Sequence, residues 1–238
     1  MPSPQKRSPT ARPGDREGAR EPRGSRRKRE TRGRLLDAAL ELMAKKGMEG
    51  VAINEITEAA DVGFGSFYNH FKSKEEIHAE LIKHAFESFA DELDVLARGI
   101  DDPAELVSVA VRHTLLRAHR EPTWGQFLIR EGLSARLFGR VERLMRDVQR
   151  GIASKRFTVS DPLMSTLAVG GMVLTATTTQ SLAAVSATHS VTLGKGRFNL
   201  DEWPERTAAV ALEILGLSPK EAEKVARRPL PPTASLGS

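Results

Sequence analysis

Cysteine is absent from this 238-residue chain, so it has no disulfides, no thiolate metal sites and no cysteine nucleophile. This absence is typical of a protein of the reducing cytoplasm, where we expect the chain to act. Aromatic residues are also scarce, at 5% of the sequence, whereas hydrophobic residues reach 39%, enough for one large domain or two small ones. Any local cluster of aromatic residues therefore stands out.

Large apolar residues are nearly missing from residues 1–34, which also lack the hydrophobic core of a secretory signal. Twelve Lys and Arg against four Asp and Glu give this segment a net charge of +8, and since the whole chain carries +5, the remainder carries −3. We expect residues 1–30 to form a disordered basic arm. Such an arm favours a polyanion, either nucleic acid or an anionic membrane surface, although a solvated tail without a partner fits it equally well.

Lys, Arg, Asp and Glu are all missing between Asp161 and Lys195, a length that could span a bilayer. Serine, threonine and glutamine make this segment only moderately apolar. We therefore expect a buried helix between protein surfaces rather than a membrane span.

Convincing strand alternation is missing too, and apolar residues recur at helical spacing along the whole chain. A first helix is expected to end at Gly47, and a short second helix to carry Ile53 and Ile56. The capping box of Ser73 and Glu76 predicts the start of a long helix, in which the hydroxyl accepts from the Glu76 N–H and the carboxylate from the Ser73 N–H. The expected fold class is all-α.

The aromatic residues cluster in one short stretch, GFGSFYNHF, from Gly63 to Phe71. It lacks the third glycine of a dinucleotide-binding loop, the ending of a P-loop and a preceding strand, which argues against a phosphate-binding loop. At about 100° per residue, its aromatic residues fall on one side of a helix and its small polar residues on the other. We expect Phe67 and Phe71 to be buried, and Phe64 and Tyr68 to lie at the rim.

Two short helices joined by a three-residue turn form a helix-turn-helix, whose second helix can enter the major groove of DNA. We therefore expect an N-terminal three-helix helix-turn-helix DNA-binding domain over residues 31–78. A larger helical domain is expected over residues 79–228, followed by a Pro-rich tail over residues 229–238.

The stretch from Ile53 to Ile77 closely resembles the DNA-binding signature of the tetracycline-repressor (TetR) family of bacterial regulators. The resemblance lies in residue types and order through both short helices and the next cap, and its matching residues are Ile56, Ala60, Val62, Gly65, Ser66, Phe67, Tyr68, His70, Phe71, Ser73, Lys74 and Glu75. Two positions depart from the family pattern. Ala52 stands where Thr or Ser commonly caps the first helix of the motif, and the loss of that side-chain acceptor costs on the order of 1 kcal/mol of stability. Gly63 stands where Ser often caps the second helix.

The resemblance assigns contacts with DNA to nine residues: Asn54, Gly63, Phe64, Gly65, Ser66, Tyr68, Asn69, His70 and Lys74. It implies that Tyr68, His70 and Lys74 contact phosphates and that the others lie at or beside base edges. For His70 the alternative is a helix-end histidine bonded to the backbone. The basic run from Arg26 to Arg29 is expected to lie along phosphates or in a minor groove, so that its removal weakens binding to all sequences and flattens the salt dependence.

The resemblance also implies that residues 79–228 form a ligand-binding and dimerisation domain, and that the chain is a homodimer on a pseudo-palindromic operator. The charge-free helix after Asp161 and the helix after Pro204 are expected to form the dimer surface, where Ala168, Gly170, Gly171 and Ala176 would allow close approach. The alternative is a helix buried inside one subunit. The resemblance further implies a pocket for an unidentified small hydrophobic or amphipathic ligand, so that the chain acts as a ligand-responsive repressor on the nucleoid. The candidate lining residues are Trp124, Phe127, Leu128, Phe138, Leu144, Met145, Met172 and Thr175. Ordinary core packing remains the alternative for each of them.

Catalysis is not expected, because the six histidines include neither an HExxH motif nor a pair four residues apart. We accordingly expect no cofactor and no metal. A second alternative is an amphipathic protein of the membrane surface, which the basic arm alone would allow. That alternative predicts binding to liposomes without preference for any DNA sequence.

Overall fold

A computed structural model describes residues 23–132, 138–185 and 190–231. Helices make up most of it, as expected, and a short hairpin precedes the last two. The elements are α1 (Arg23–Lys46), α2 (Ile53–Ala59), α3 (Phe64–Tyr68), α4 (Lys74–Leu96), α5 (Pro103–Arg120), α6 (Pro122–Glu131), α7 (Phe138–Ala153), α8 (Pro162–Val185), β1 (Ser190–Leu193), β2 (Gly196–Asn199), α9 (Trp203–Ile214) and α10 (Pro219–Ala226).

The first three helices and the start of α4 form a small head around one apolar core. α1 ends where Gly47 takes a φ of +75°, which glycine adopts without steric cost. Leu35 of α1, Ile56 of α2 and Phe67 of α3 are fully buried against one another in this core. The core continues along α4 into the body, where Trp124 and Phe127 of α6 join it.

The body is built around α5, which packs against α9, α8, α7 and α10. A second core fills the space between them and includes Leu115, Leu212 and Leu215, all fully buried. α5 begins after Asp102, whose side chain accepts a hydrogen bond from the Ala104 N–H at 3.0 Å. The guanidinium of Arg112 is mostly buried and donates to Glu205 at 2.9 Å, which joins α5 to α9.

Only one face of the charge-free helix α8 is covered. Val169, Ala176 and Ala183 are buried against the body, as the sequence predicted for the whole helix. The opposite face is exposed and apolar, with Met164 at 59%, Leu167 at 43% and Leu182 at 61% of their full surface. Across the ranges described, no helix combines the length and the apolar content that crossing a membrane takes.

Three local expectations differ from the structure. Residues 23–30 are helical rather than part of a disordered arm, while residues 1–22 and 232–238 lie outside the described residues. The carboxylate of Glu76 accepts from the Lys72 N–H rather than from that of Ser73, although the Ser73 hydroxyl accepts from the Glu76 N–H at 3.3 Å as predicted. The expected boundary at residue 78 falls inside α4, which joins head and body.

The hairpin of β1 and β2 was not predicted. Leu193 pairs with Gly196, and Gly194 opens the two-residue loop between them with a φ of +61°. Two-residue turns whose twist matches that of a β-hairpin favour glycine at their first position. β2 does not show the alternation of buried and exposed residues that predicts a strand from sequence, because it is almost wholly exposed.

Candidate DNA-binding surface and ligand cavity

Helices α2 and α3 form the predicted helix-turn-helix. The turn between them contains Asp61, whose φ of +52° reverses the chain, and Gly63 then occupies the position before the first residue of α3 in extended backbone. Asn54 on α2, together with Gly65 and Asn69 around α3, is exposed on the outside of the head. The residues assigned to base edges are thus accessible from solvent.

The aromatic residues of α3 divide between the core and the surface. Phe67 is fully buried and Phe71 nearly so, whereas Phe64 and Tyr68 keep 54% and 52% of their surface exposed. Phe64 meets Tyr68 edge to face, with ring centroids 5.7 Å apart. The helical wheel places Phe64 on the packing side, but it is the first residue of α3, where no other helix covers it. The two exposed rings therefore form an apolar ridge on the outer face of the head.

Gly65 follows Phe64 on α3 and is exposed to solvent. A Cβ placed on Gly65 meets no heavy atom within 4 Å, so the fold of the free chain would accept a side chain there. The absence of a side chain at Gly65 leaves the surface of α3 low beside the rings of Phe64 and Tyr68. A partner's backbone or base edge can approach the helix most closely at this point.

His70 follows α3 and is half-buried. Burial lowers the pKa of its imidazole, and the positive charges of Lys28 and Arg32 lower it further. Its Nδ1 atom is buried and has no hydrogen-bond partner among the described residues, so the predicted alternative of a ring bonded to backbone finds no support at that atom. An unpaired buried N–H is costly, which favours the tautomer with its proton on Nε2.

Two further features complete the head. Lys74, the first residue of α4, is partly exposed at the edge of the same surface, directly after the Ser73 cap.

The missing side-chain cap at Ala52 is compensated in part, since the Glu55 carboxylate accepts from the Ala52 N–H at 3.0 Å. Glu55 also binds Lys46, which lowers the pKa of the Glu55 carboxyl and ties α2 to the end of α1.

The body contains a cavity of about 410 Å³ between α4, α5, α6, α7 and α8. Its wall is mainly apolar, and Phe86, Phe89 and Leu128 supply the surface nearest the head. An apolar cavity of about 150 Å³ already accommodates a benzene ring, so this one has room for a substituted ring. It is large enough for a small-molecule ligand.

One end of the cavity is charged. Asp94, Arg143, Arg146 and Asp147 line both this cavity and an adjoining outer pocket of about 230 Å³. Arg143 binds Asp94 at 2.7 Å. Burial raises the pKa of the Asp147 carboxyl, against the opposing effect of the nearby arginines. These four residues, which we call the charged quartet, were not predicted as ligand contacts.

Only some of the residues predicted to line the ligand cavity do so. Leu128 and Leu144 line the cavity. Trp124 and Phe127 are almost completely buried and lie behind Phe89 and Phe86, with ring centroids 4.9 and 5.7 Å away. In the described ranges, the remaining predicted residues are not part of the wall: Met145 and Met172 are partly buried elsewhere, Thr175 is exposed, and the side chain of Phe138 lies outside the described residues.

Helix α6 connects the cavity with the head. Leu128 and Gly132 at its end line the cavity. Between them, Arg130 donates hydrogen bonds to the carbonyl oxygens of Ala44 and Lys45 in the last turn of α1. The next residue, Glu131, binds the buried His78 of α4 at 2.9 Å. A displacement of this end of α6 would therefore act directly on α1 and α4, the two helices that join it to the head.

Comparisons with known proteins match both parts of the chain. The model of bacterial regulatory proteins of the tetR family matches residues 35–81, and that of the tetracyclin repressor-like C-terminal domain matches residues 102–228. The HTH-type transcriptional regulator TcmR of Streptomyces glaucescens is 37% identical over 92 residues, 39% of this chain and 40% of that protein. The chain thus spans about 40% of the length of the curated relatives it matches first. These families and relatives are transcriptional regulators, not enzymes.

Solved structures match over more of the chain. A crystal structure of RolR in complex with resorcinol is 32% identical, with a TM-score of 0.62, and the match covers 88% of this chain and 100% of that one. FadR of Bacillus subtilis in complex with stearoyl-CoA has a TM-score of 0.64 at 17% identity over 78% of this chain and 99% of that one, which shows a shared fold. The matched regions include both the exposed ridge of α3 and the cavity, and the chain belongs to the TetR family of bacterial regulatory proteins.

Proposed function

We propose that this chain is a ligand-responsive transcriptional repressor that acts in the cytoplasm as a homodimer and binds a pseudo-palindromic operator. Residues 31–78 serve as the DNA-binding domain and residues 79–228 as the domain for ligand binding and dimerisation. The observation that carries the proposal is the outer face of α3, where the exposed rings of Phe64 and Tyr68 lie beside the open position of Gly65. Exposing two large rings costs free energy in water unless a partner covers them.

The polar residues of this face suit two kinds of contact. Asn69 can bind an adenine edge with its amide, and Ser66 can bind any base. His70 and Lys74 lie farther along the same surface, where the Nε2–H and the ammonium group can donate to phosphates. Phe64 offers apolar contact alone, for example to a thymine methyl group. The described head places no arginine on α3, so DNA shape is expected to contribute to specificity as well.

Alanine at Asn69 and at His70 is expected to have different consequences. Asn69→Ala should relax the preference at one base position of the site by about 1–3 kcal/mol, since a base contact carries sequence information. His70→Ala should weaken binding to all sequences alike. The experiment is in-vitro selection of bound duplexes for the wild type and both variants. No enrichment with the wild-type chain, or the same consensus and affinity for all three proteins, would contradict the proposed function of α3.

The exposed face of α8 supports the homodimer. Met164, Leu167, Leu182 and Val185 share one face with Gly171, and their exposed fractions range from 43% to 82%. Val210 on the neighbouring helix α9 is 47% exposed. Neither Gly170 nor Gly171 has a heavy atom within 4 Å of its would-be Cβ, so a second helix could approach closely. A second copy of this chain would cover these apolar residues and hold two heads on one duplex.

The cavity supports ligand response, because α6 forms part of its wall and also holds α1 through Arg130. A ligand shifts the spacing of the two heads only if it binds the two arrangements with different affinity. The apolar wall and the charged quartet together suit a single ring that carries hydroxyl groups. Such hydroxyls can donate to Asp94 and Asp147 and accept from Arg143 and Arg146. The resorcinol in the RolR complex has this chemistry.

Resorcinol is therefore expected to stabilise the chain and to release it from DNA. A ligand at one hundred times its Kd raises the free energy of unfolding by about 2.7 kcal/mol. Asp147→Asn should weaken resorcinol binding by about tenfold or more, because a hydrogen bond to a charged group contributes about 1.5–3 kcal/mol. Thermal unfolding at increasing resorcinol concentration measures the stabilisation of the wild type and its loss in Asp147→Asn.

Asp91→Asn is the matched control, since Asp91 is exposed on α4 and is not among the described residues that line the cavity. Stearoyl-CoA serves as the comparison ligand. Stabilisation by stearoyl-CoA but not by resorcinol would contradict the proposed ligand class. An equal loss of resorcinol binding in both asparagine variants would contradict the assignment of Asp147.

A further inference from the structure

Residues 24–30, near the start of α1, are exposed to solvent. The first buried side chain of the helix is Leu35. Most helices in proteins are stabilised by packing one apolar face, but no face of these two turns is packed within the described structure. The turns therefore project from the head as a bare helical extension.

The extension is strongly basic. Residues 24–34 contain six Arg and Lys and one acidic residue, Glu30, for a net charge of +5. The first turn has no acidic residue to complement the positive end of the helix dipole. Arg26 pairs with Glu30 at 3.3 Å, but both side chains are exposed and such a pair contributes little. Like charges on this helix repel one another, and an anion bound along it would remove that repulsion.

The basic side of α1 runs beside α3 and continues beyond it. Arg34 donates to the carbonyl oxygen of Asp61 at 3.4 Å, in the turn before α3 begins. Arg32 lies over the ring of Phe71, 4.9 Å from its centroid, after α3 has ended. Lys28 is close enough to His70 for its charge to act on the imidazole. Arg27 and the turn before it thus lie past the end of α3, on the side where His70 is proposed to contact phosphate.

We propose that the exposed basic turn of α1 around Arg27 and Lys28 binds the phosphate backbone of duplex DNA, as a helical extension of the surface formed by α3. The inference rests on the proposed function as a DNA-binding protein. Lysine and arginine that contact only phosphates supply affinity but no sequence preference. The extension differs from an arm threaded into a minor groove, because it is a helix anchored to the head through Arg32 and Arg34.

The test compares the full-length wild type with Arg27→Ala/Lys28→Ala, and with Lys220→Ala/Lys224→Ala on exposed positions of α10 as the charge-matched control. Fluorescence anisotropy measures binding to the duplex recovered by selection and to a scrambled duplex of the same length, from about 50 to about 200 mM salt. Each lost phosphate contact lowers the slope of log affinity against log salt by about 0.9. The double variant should therefore lose about 1.8 from the slope on both duplexes, and the α10 control should lose none.

A slope equal to that of the wild type on both duplexes overturns the inference, as does a loss confined to the selected duplex. The double variant is also tested on vesicles of anionic phospholipid. If its binding to vesicles falls while its binding to DNA does not, the basic turn binds membranes, and the inference is overturned as well. The scrambled duplex distinguishes failure of the phosphate contact from failure of the proposed function. If the wild type shows no preference for any sequence but the slope still drops, the proposed function fails and the phosphate contact stands.

Discussion

Replacing Phe67 by alanine is expected to lower the free energy of unfolding of the head by about 3–5 kcal/mol and to abolish sequence-specific DNA binding. Phe67 is fully buried between α1 and α2, and its ring contacts Tyr68 and Phe71 at centroid distances of 5.4 and 5.7 Å. Its removal leaves a cavity that the short helix α3 cannot fill without shifting. Since α3 has only five residues, this core contact holds it on the head.

Phe64→Ala is the matched control, because it removes the same ring three residues earlier on the same helix. Phe64 is 54% exposed, and its described ring contact is with Tyr68, so its loss should change stability by no more than about 1 kcal/mol. DNA affinity should nevertheless fall. Thermal unfolding together with anisotropy separates the two effects. A Phe67→Ala head as stable as that of the wild type, or full DNA affinity in Phe64→Ala, would contradict the division of α3 into a buried and a reading face.

Replacing Gly171 by glutamate is expected to convert the proposed dimer to monomers and to weaken binding to a two-half-site operator by about 10²–10⁴-fold, the usual gain from linking two binding sites. No heavy atom lies within 4 Å of a Cβ at Gly171, so a single chain has room for the start of a side chain there, at a position that also borders the ligand cavity. In the proposed dimer it places a carboxylate within the apolar face of α8, where burying a charge is costly.

Sedimentation and salt-matched anisotropy on a duplex with two half-sites measure the change. Gln149→Glu adds the same charge at an exposed position of α7 and should leave both the mass and the affinity as in the wild type. A Gly171→Glu chain that still sediments as a dimer would contradict the use of this face. So would a monomeric chain whose affinity for the two-half-site duplex is unchanged.

The helices could be predicted from the sequence because caps and apolar spacing are local signals. Ser73 marks the start of α4 as predicted, and Phe67 and Phe71 are buried as the helical period requires. Phe64 was placed ambiguously, since a helical wheel gives the direction of a side chain but not whether another helix lies above it. The helical start of α1 was missed because its residues are polar on all sides and show no period.

The ligand cavity was harder to predict for a different reason. The candidate lining residues included Trp124 and Phe127, but burial of such large rings stabilises the core itself, and both lie behind the cavity wall. The charged quartet combines Asp94 on α4 with three residues of α7. Asp94 is far from the other three in the chain, and tertiary packing alone brings them together. No spacing in the sequence indicates such a site.

The pattern of protection on DNA tests the central claim most directly, namely that two copies of α3 read one operator. Hydroxyl-radical footprinting of the wild-type chain on its selected duplex should show two symmetric protected patches on one face of the helix. Their centres should lie about 10 base pairs apart, or a whole multiple of one turn. A single protected patch, or uniform cleavage at concentrations that saturate binding, would contradict a symmetric dimer that reads DNA through α3.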